Sequence, residues 1–481
     1  MSLSKAPIKN NFVFGKIILG FSGGVDSVVL LDLLLQLLPK KNIILAHLNH
    51  NFRAKESDHD EQFVKKLAQK NNLKIITKKL KKAPHNENEA RQLRYEFLNQ
   101  IKEKNQANFI ALAHHQSDQI ETLLLQLTRG TAYLHPMKEL SVDYKWRPLL
   151  NFTKEDIYKY AQNNKLSWRE DSTNKKNIYS RNLLRNEVCP KLHKINPAFS
   201  NNILQFGQNS YENYLLIKSL AQNFLKKFFD GDSFSRDEFL KLKDPIKKHV
   251  LKIINKNLYS NHISEILTLI KNGIGNKKKH GFILNKGKIT IDFFVNQFLI
   301  LASKSPQRKK ILEEASYNFI DIDSKYPEIW QKNKSINQNI LLFSEKKASA
   351  IYKKYPNNTI VACDTIVVHP QNGVYFKPKN KEDAFYMLKS YSNTTIKILS
   401  ALCIIKKSEK FTEIVETEIE FKKLSDTYLK ELINKKDFWQ ERCGGFSISQ
   451  IKKSIKNIKG CFFNILGLPI QKLNKFLKFL H

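Results

Sequence analysis

The chain has 481 residues, 41% of them hydrophobic, and its 81 Lys plus Arg against 45 Asp plus Glu give a formal net charge of +36. That length predicts two or three domains rather than one core, and the hydrophobic content excludes a largely disordered chain. The charge points to a polyanionic partner, nucleic acid first, although a composition rich in Lys, Asn and Ile also follows from an AT-rich genome.

The first predicted element is an apolar strand, Lys16 to Phe21, which runs into Ser22-Gly23-Gly24-Val25-Asp26-Ser27 and out into an apolar helix, Val28 to Leu38. Two glycines let the backbone curl so that its N–H groups converge on an anion, and the helix N-terminus and serine hydroxyls add to the cradle. A pyrophosphate group suits it. Asp26 repels phosphate, so Mg²⁺ is the natural bridge. Strand and helix patterns then alternate: strand Asn42 to His47, helix Asp58 to Gln69, strand Leu73 to Thr77, a helix capped by Asn86 and running to about Glu103, strand Asn108 to Ala113, and helix Asp118 to Leu127 with Ser117 as its expected cap. Repeated β-α units predict a parallel, doubly wound α/β sheet of Rossmann-like form. Ligands of such sheets sit at the carboxyl ends of the strands, where the glycine loop, His47 to His50 and His114 to Asp118 all fall. Arg91 and Arg94 share a helix face, either as a solvated basic strip or as a phosphate grip.

These motifs carry a family resemblance. The loop resembles the pyrophosphate loop of the PP-loop ATPases. His47-Leu48-Asn49-His50-Asn51-Phe52-Arg53, Glu89-Ala90-Arg91 with Arg94-Tyr95, Ala113 to Thr122, Arg147-Pro148-Leu149-Leu150, Asp171-Ser172-Thr173-Asn174 and Tyr179 to Arg185 follow in the order seen in tRNA(Ile)-lysidine synthetases. Asn49 and Ser117 stand where Asp is usual in that family. The resemblance implies ATP as substrate with Mg²⁺, free L-lysine, and tRNA(Ile) with a CAU anticodon. In that reaction the wobble cytidine is adenylated and then attacked by the lysine amine. It implies ATP-binding roles for Ser22, Gly23, Gly24, Val25, Asp26, Ser27, His47 and His114. Arg91, Arg94, Glu121, Asn174, Arg181, Asn182 and Arg185 would contact tRNA or lysine. Asp26, also a metal ligand, and Asp118 would be catalytic, with Asp118 or Glu121 accepting the amine proton.

Beyond Pro190 and Pro197 come helical patterns at Ser200 to Phe229, Ser235 to Leu242, Ile246 to Leu258 and Ser264 to Lys271, then a hairpin-like pair, Phe282 to Leu284 and Ile289 to Ile291. This predicts a mainly helical domain, either a basic wall for tRNA or a packed spacer. A new strand–loop–helix begins at Phe298, with Ser303-Lys304-Ser305-Pro306-Gln307-Arg308 as a second anion loop. Lys347, Cys363-Asp364-Thr365, Lys377-Pro378, Gly444-Gly445-Phe446 and Asn464 to Pro469 follow. The series resembles the Maf nucleoside triphosphate pyrophosphatases, a second α/β fold of the ITPase-like kind. The resemblance implies phosphate or nucleotide contacts from Ser303, Ser305, Arg308, Lys347, Thr365 and Lys377. Asp364 would be the catalytic or metal-linked carboxylate, with Mg²⁺ or Mn²⁺. Gln307, Ser324, Phe376, Ile396 and Ser449 depart from that family's pattern.

The expected domains are therefore 1–193, 194–297 and 298–481. Five scattered cysteines with no CxxC pair argue against structural zinc and for reduced thiols in the cytoplasm. Met1 to Lys5 lack a signal-peptide core, and Val28 to Leu38 is too short to span a bilayer, so no membrane role is expected. The rivals are a PP-loop tRNA thiolase, which the lack of paired cysteines disfavours, and a tRNA-binding protein with a degenerate second nucleotide fold.

Overall fold

Ile17, Ile18 and Leu19 are wholly buried because they form the middle strand of a sheet covered on both faces, where both rows of side chains must be apolar. In the computed structural model, residues 15–51, 55–170, 180–273, 277–285, 287–292, 298–435, 438–440 and 442–479 are described. Phe52, Arg53 and the stretch from Asp171 to Tyr179, with Asn174, lie outside them. The chain divides into two compact units, Met1–Asn213 and Tyr214–His481.

In the first unit the strands are β1 (Ile17–Gly20), β2 (Ile43–Asn49), β3 (Lys74–Lys79), β4 (Phe109–Ala111) and β5 (Lys145–Trp146). They form one five-stranded sheet in the order β3-β2-β1-β4-β5, and every pairing is parallel. Helices α1 (Val25–Leu37), α2 (Lys55–Lys70), α3 (Glu87–Lys104), α4 (Gln116–Thr128) and α5 (Lys154–Asn163) connect or follow them. The α/β expectation therefore holds. Phe97, Leu98 and Ile101 of α3 pack on Ile18, Ile44, Ala46 and Ile110. Helix α1 is apolar nearly all round because it is buried. Its polar pair Asp32 and Gln36 meets the Tyr160 hydroxyl of α5 at 2.8 and 2.9 Å. Order reverses between β2 and β4 on either side of β1, which opens a crevice at the end of β1.

Asn86 caps α3 as expected, accepting from the Glu89 N–H at 2.9 Å. Ser117 does not cap α4. The helix starts two residues earlier, at Gln116, and His115 is the cap: its Nδ1 accepts from the Ser117 N–H while the Asp118 carboxylate accepts from the His115 N–H. An imidazole nitrogen does there what a hydroxyl usually does.

After α6 (Ser180–Leu183), a wide turn Leu184–Val188 and α7 (Cys189–Ile195), a long helix α8 (Phe199–Phe228) follows. The second unit contains α9 (Arg236–Leu240), α10 (Asp244–Ile254) and α11 (Ser260–Asn272). Beside them β6 (Ser233–Ser235), β7 (Lys277–Lys279), β8 (Phe282–Asn285) and β9 (Lys288–Ile291) form a four-stranded antiparallel sheet. The region is thus less purely helical than its periodicity suggested, because strands of three or four residues leave little period-2 signal.

A seven-stranded mixed sheet follows. Its main order is β11-β10-β12-β14-β15-β16, with β13 pairing β12. The members are β10 (Leu299–Leu301), β11 (Phe319–Asp321), β12 (Thr359–His369), β13 (Gly373–Tyr375), β14 (Thr395–Lys406), β15 (Glu409–Phe421) and β16 (Ile455–Gly460). Helix α12 (Pro306–Glu314) follows β10, and α13 (Ile336–Tyr352) precedes β12. Phe224, Phe234, Phe239 and Ile266 share one apolar cluster with Phe298, Ile300, Ala348 and Ile360. Within this unit the helical segment and the mixed sheet therefore have a continuous core.

Candidate functional site

The Ser22–Ser27 loop is held by its own hydroxyls. Ser27 Oγ accepts from the Gly23 N–H at 3.1 Å and donates to the Gly24 carbonyl at 2.9 Å. Ser22 Oγ donates to Ser27 Oγ at 3.2 Å and accepts from the Gly24 N–H at 3.3 Å. Gly24 is the N-cap of α1 and offers no side-chain cap, so the first turn keeps N–H groups for an anion. Val25 turns its side chain into the core and can serve a ligand only through its backbone. Gly23 has φ +84°, and a Cβ there would lie 2.9 Å from Val64 Cγ1. Gly23→Ala is accordingly expected to cost about 1–3 kcal/mol of local conformational energy and to weaken anion binding at the loop, measured by titration with pyrophosphate.

A run of charged contacts leads away from the loop. Both Asp26 carboxylate oxygens accept from Lys154 Nζ, at 2.6 and 2.8 Å. His115 Nδ1 is used as the helix cap, so its proton is on Nε2, which lies 3.8 Å from Asp26 Oδ1 and 3.6 Å from Asp118 Oδ2. Arg185 spans the next pair, with Nη2 3.3 Å from Asp118 Oδ1 and Nε 2.7 Å from Glu121 Oε1. Arg181 reaches Thr122 Oγ1 at 3.4 Å and Glu87 Oε1 at 3.3 Å. The structure thus brings Asp26, Asp118, Glu121, Arg181 and Arg185 together. The wide π-helical turn Leu184–Val188 is the local feature that carries Arg185, and such turns recur at functional positions.

The two carboxylates of α4 differ. Burial pushes Asp118 up, but His115, His114, the His115 N–H and Arg185 outweigh it and hold Asp118 below the usual range. Burial pushes Glu121 up, and Arg185 does not cancel that shift. Glu121 is 1% exposed, and its Oε2 has no hydrogen-bond partner among the described residues.

Other expected residues take no part in this run of hydrogen bonds and ion pairs. His47 is buried and donates from Nδ1 to the Phe21 carbonyl at 2.9 Å, bracing the strand that feeds the loop. Burial chiefly holds His114 well below its ordinary range, and its Nδ1 lacks a partner among the described residues. Arg91 lies over the Tyr95 ring at 5.3 Å, while Arg94 is exposed and lies within electrostatic reach of Arg91, Glu87 and Arg181. Asn182 is half-buried on α6. Lys154 was not legible as a site residue: Thr153-Lys154-Glu155-Asp156 reads only as a helix start, which it is.

In the second unit Arg308 ties three segments together. Its Nε donates to the Gly467 carbonyl at 2.8 Å, Nη1 to Ser303 Oγ at 3.0 Å and Nη2 to Thr365 Oγ1 at 3.2 Å. The Ser305 N–H donates to Ser303 Oγ at 3.2 Å. Asp364, on β12 and 6% exposed, accepts from Lys347 Nζ at 2.5 Å. Lys347 also pairs with Glu328, a residue no motif marked. Burial raises Asp364, and Lys347 only partly opposes it. Lys377 is exposed just past β13, which pairs with the Val367–His369 end of β12.

Among the described residues no three His, Cys, Asp or Glu side chains form a ready metal cluster. The donor chemistry nevertheless suits Mg²⁺, which takes one or two carboxylates and completes its shell with phosphate and water. Asp26 offers one carboxylate beside an anion loop. Asp364 and Glu328 offer two, with the Lys347 ammonium now between them. No helix among the described residues is long and apolar enough to cross a membrane.

Residues 3–192 match the family model described as PP-loop domain, and residues 298–480 match the one described as Maf-like protein. The chain is 32% identical over 283 residues to the tRNA(Ile)-lysidine synthase of Bacillus subtilis, covering 53% of this chain and 60% of that one. It is 33% identical over 273 residues to the tRNA(Ile)-lysidine synthase of Bacillus cereus, with coverage of 53% and 57%. It is 31% identical over 283 residues to the "Bifunctional protein TilS/HprT" of Listeria innocua, with coverage of 53% and 43%. The chain spans between 43% and 60% of the length of these relatives.

Proposed function

We propose that this chain, a PP-loop domain followed by a Maf-like domain, is an ATP-dependent tRNA(Ile)-lysidine synthetase joined to a nucleoside triphosphate pyrophosphatase. The observation that carries the first activity is the continuous run from the anion loop through Asp26, His115, Asp118 and Arg185 to Glu121. A loop of N–H groups and hydroxyls and two carboxylates shifted in opposite directions lie along that run, which supports the reading. The similarity to lysidine synthases over 53% of the chain supports the same reading.

In this account ATP lies on Ser22, Gly23, Gly24 and Ser27, and the C2 oxygen of the wobble cytidine in the CAU anticodon attacks the α-phosphate. Pyrophosphate leaves. The lysine ε-amine then attacks C2, forming the C–N bond, and AMP departs with the former C2 oxygen. Mg²⁺ held by Asp26 would neutralise charge on the leaving pyrophosphate. Asp118, fixed by His115 and Arg185, orients the site. Glu121 takes the amine proton: it is buried, its pKa is raised, and one oxygen is unengaged. Arg91, Arg94, Arg181 and Arg185 supply positive charge for the RNA backbone. The cytidine must leave its stack to be reached.

In the second unit Arg308, Ser303 and Thr365 form the triphosphate end of a nucleotide site, and Lys347 with Asp364 forms its hydrolytic end. Asp364 and Glu328 would hold Mg²⁺ or Mn²⁺.

With the purified chain carrying Asp364→Asn to silence the second unit, and with ATP, L-lysine and CAU-anticodon tRNA(Ile), one AMP and one pyrophosphate are expected per lysine transferred. AMP formation with no transfer would overturn the ligase reading.

A further inference from the structure

Lys154 opens α5, and its ammonium spans both oxygens of Asp26, at 2.6 and 2.8 Å, across 128 residues of sequence. The pair is not needed to seat α5. That helix is anchored by its Thr153–Asp156 capping box, by Tyr160 on Asp32 and Gln36, and by buried Ile157 and Ala161. The side chains of Lys154 and Asp26 are 35% and 28% exposed, so their attraction is screened by water and readily exchanged. The ammonium also lies 5.1 Å from the centre of the Tyr158 ring, a cation–π contact beside the pair. Beside it lies a loop whose N–H groups and hydroxyls suit a polyphosphate, to which a bare Asp26 carboxylate would be repulsive.

We propose that Lys154 is an exchangeable counter-ion: it neutralises Asp26 in the empty site, yields that carboxylate to the divalent cation that arrives with ATP, and then places its ammonium on the phosphoryl oxygens. This rests on the ATP-binding reading of the loop and not on lysine transfer.

The idea predicts effects of opposite sign from one substitution. Calorimetry would use the full-length chain carrying Asp364→Asn, so that the second unit contributes little metal binding. Lys154→Met should tighten binding of Mn²⁺ alone by about fivefold, because its competitor for Asp26 is gone. The same change should weaken binding of Mn²⁺ with α,β-methylene ATP by about tenfold, because a phosphate contact is lost. Lys154→Arg should keep nucleotide affinity within about threefold, since the charge remains. Weakening of both ligands together would mark a purely supporting residue and overturn the inference, as would no change in either. If the parent protein binds the metal–nucleotide and the variants match it, only this inference falls. If the parent shows no such binding that Asp26→Ala removes, the ATP-binding reading falls with it.

Discussion

Replacing Glu121 by Gln is expected to slow lysine transfer to tRNA by about 100- to 10,000-fold, the range usual for loss of a positioned general base. In an Asp364→Asn background, tRNA-dependent pyrophosphate release from ATP should survive within a few-fold, because the anion loop and Asp26 are untouched. The amide keeps the size of the carboxylate and can still accept from Arg185, so the change removes the proton acceptor more than the packing. The pH profile gives an independent readout. A carboxylate base works only when ionised, and burial raises Glu121 above its ordinary value of 4.5. Transfer should therefore fall as pH drops through that raised value, at a higher pH than an ordinary carboxylate would give. Asp118 is held in the opposite direction, so it would stay ionised well below that point. Glu121→Gln should abolish the acid limb. A Glu121→Gln enzyme with the parent rate and the same limb would place the proton acceptor elsewhere.

The second large effect is expected in the other unit. Asp364→Asn should reduce pyrophosphate release from nucleoside triphosphates by about 100-fold or more, measured over a panel of purine and pyrimidine substrates without tRNA. Asp364 is buried on β12 with Lys347 on it, and Asn can neither take a proton from water nor balance that ammonium. Lysine transfer should be unchanged, since its residues belong to the first unit. Equal release by Asp364→Asn and the parent would remove Asp364 from the chemistry. A parent inert on every nucleotide would favour a degenerate second fold.

Much of this was legible in the chain because it is written locally. The strand Lys16 to Phe21, the glycine loop and the apolar helix after it are contiguous, and β-α alternation forecasts a parallel sheet. Asn86 announced a cap and became one. The second loop, Ser303 to Arg308, likewise falls between β10 and the body of α12.

What escaped the sequence depends on residues far apart in it. The Lys154–Asp26 pair joins the start of α5 to the start of α1, and no spacing rule connects them. Glu328 precedes α13 and meets Lys347 in the second half of that helix, 19 residues further on. Capping by His115 uses a residue type outside the usual Ser, Thr, Asn and Asp set. The opposite shifts of Asp118 and Glu121 come from burial and from the placement of Arg185, His114 and His115, which motif reading cannot weigh. His47 sits in a motif that the resemblance ties to ATP, yet its Nδ1 braces the Phe21 carbonyl.

The most direct test is incorporation of radiolabelled lysine into tRNA(Ile) with a CAU anticodon in the presence of ATP. The account predicts label in tRNA that requires ATP, requires cytidine at the wobble position and disappears in Asp26→Ala. Label no greater than that of Asp26→Ala, or equal label when the wobble cytidine is replaced by uridine, would contradict it.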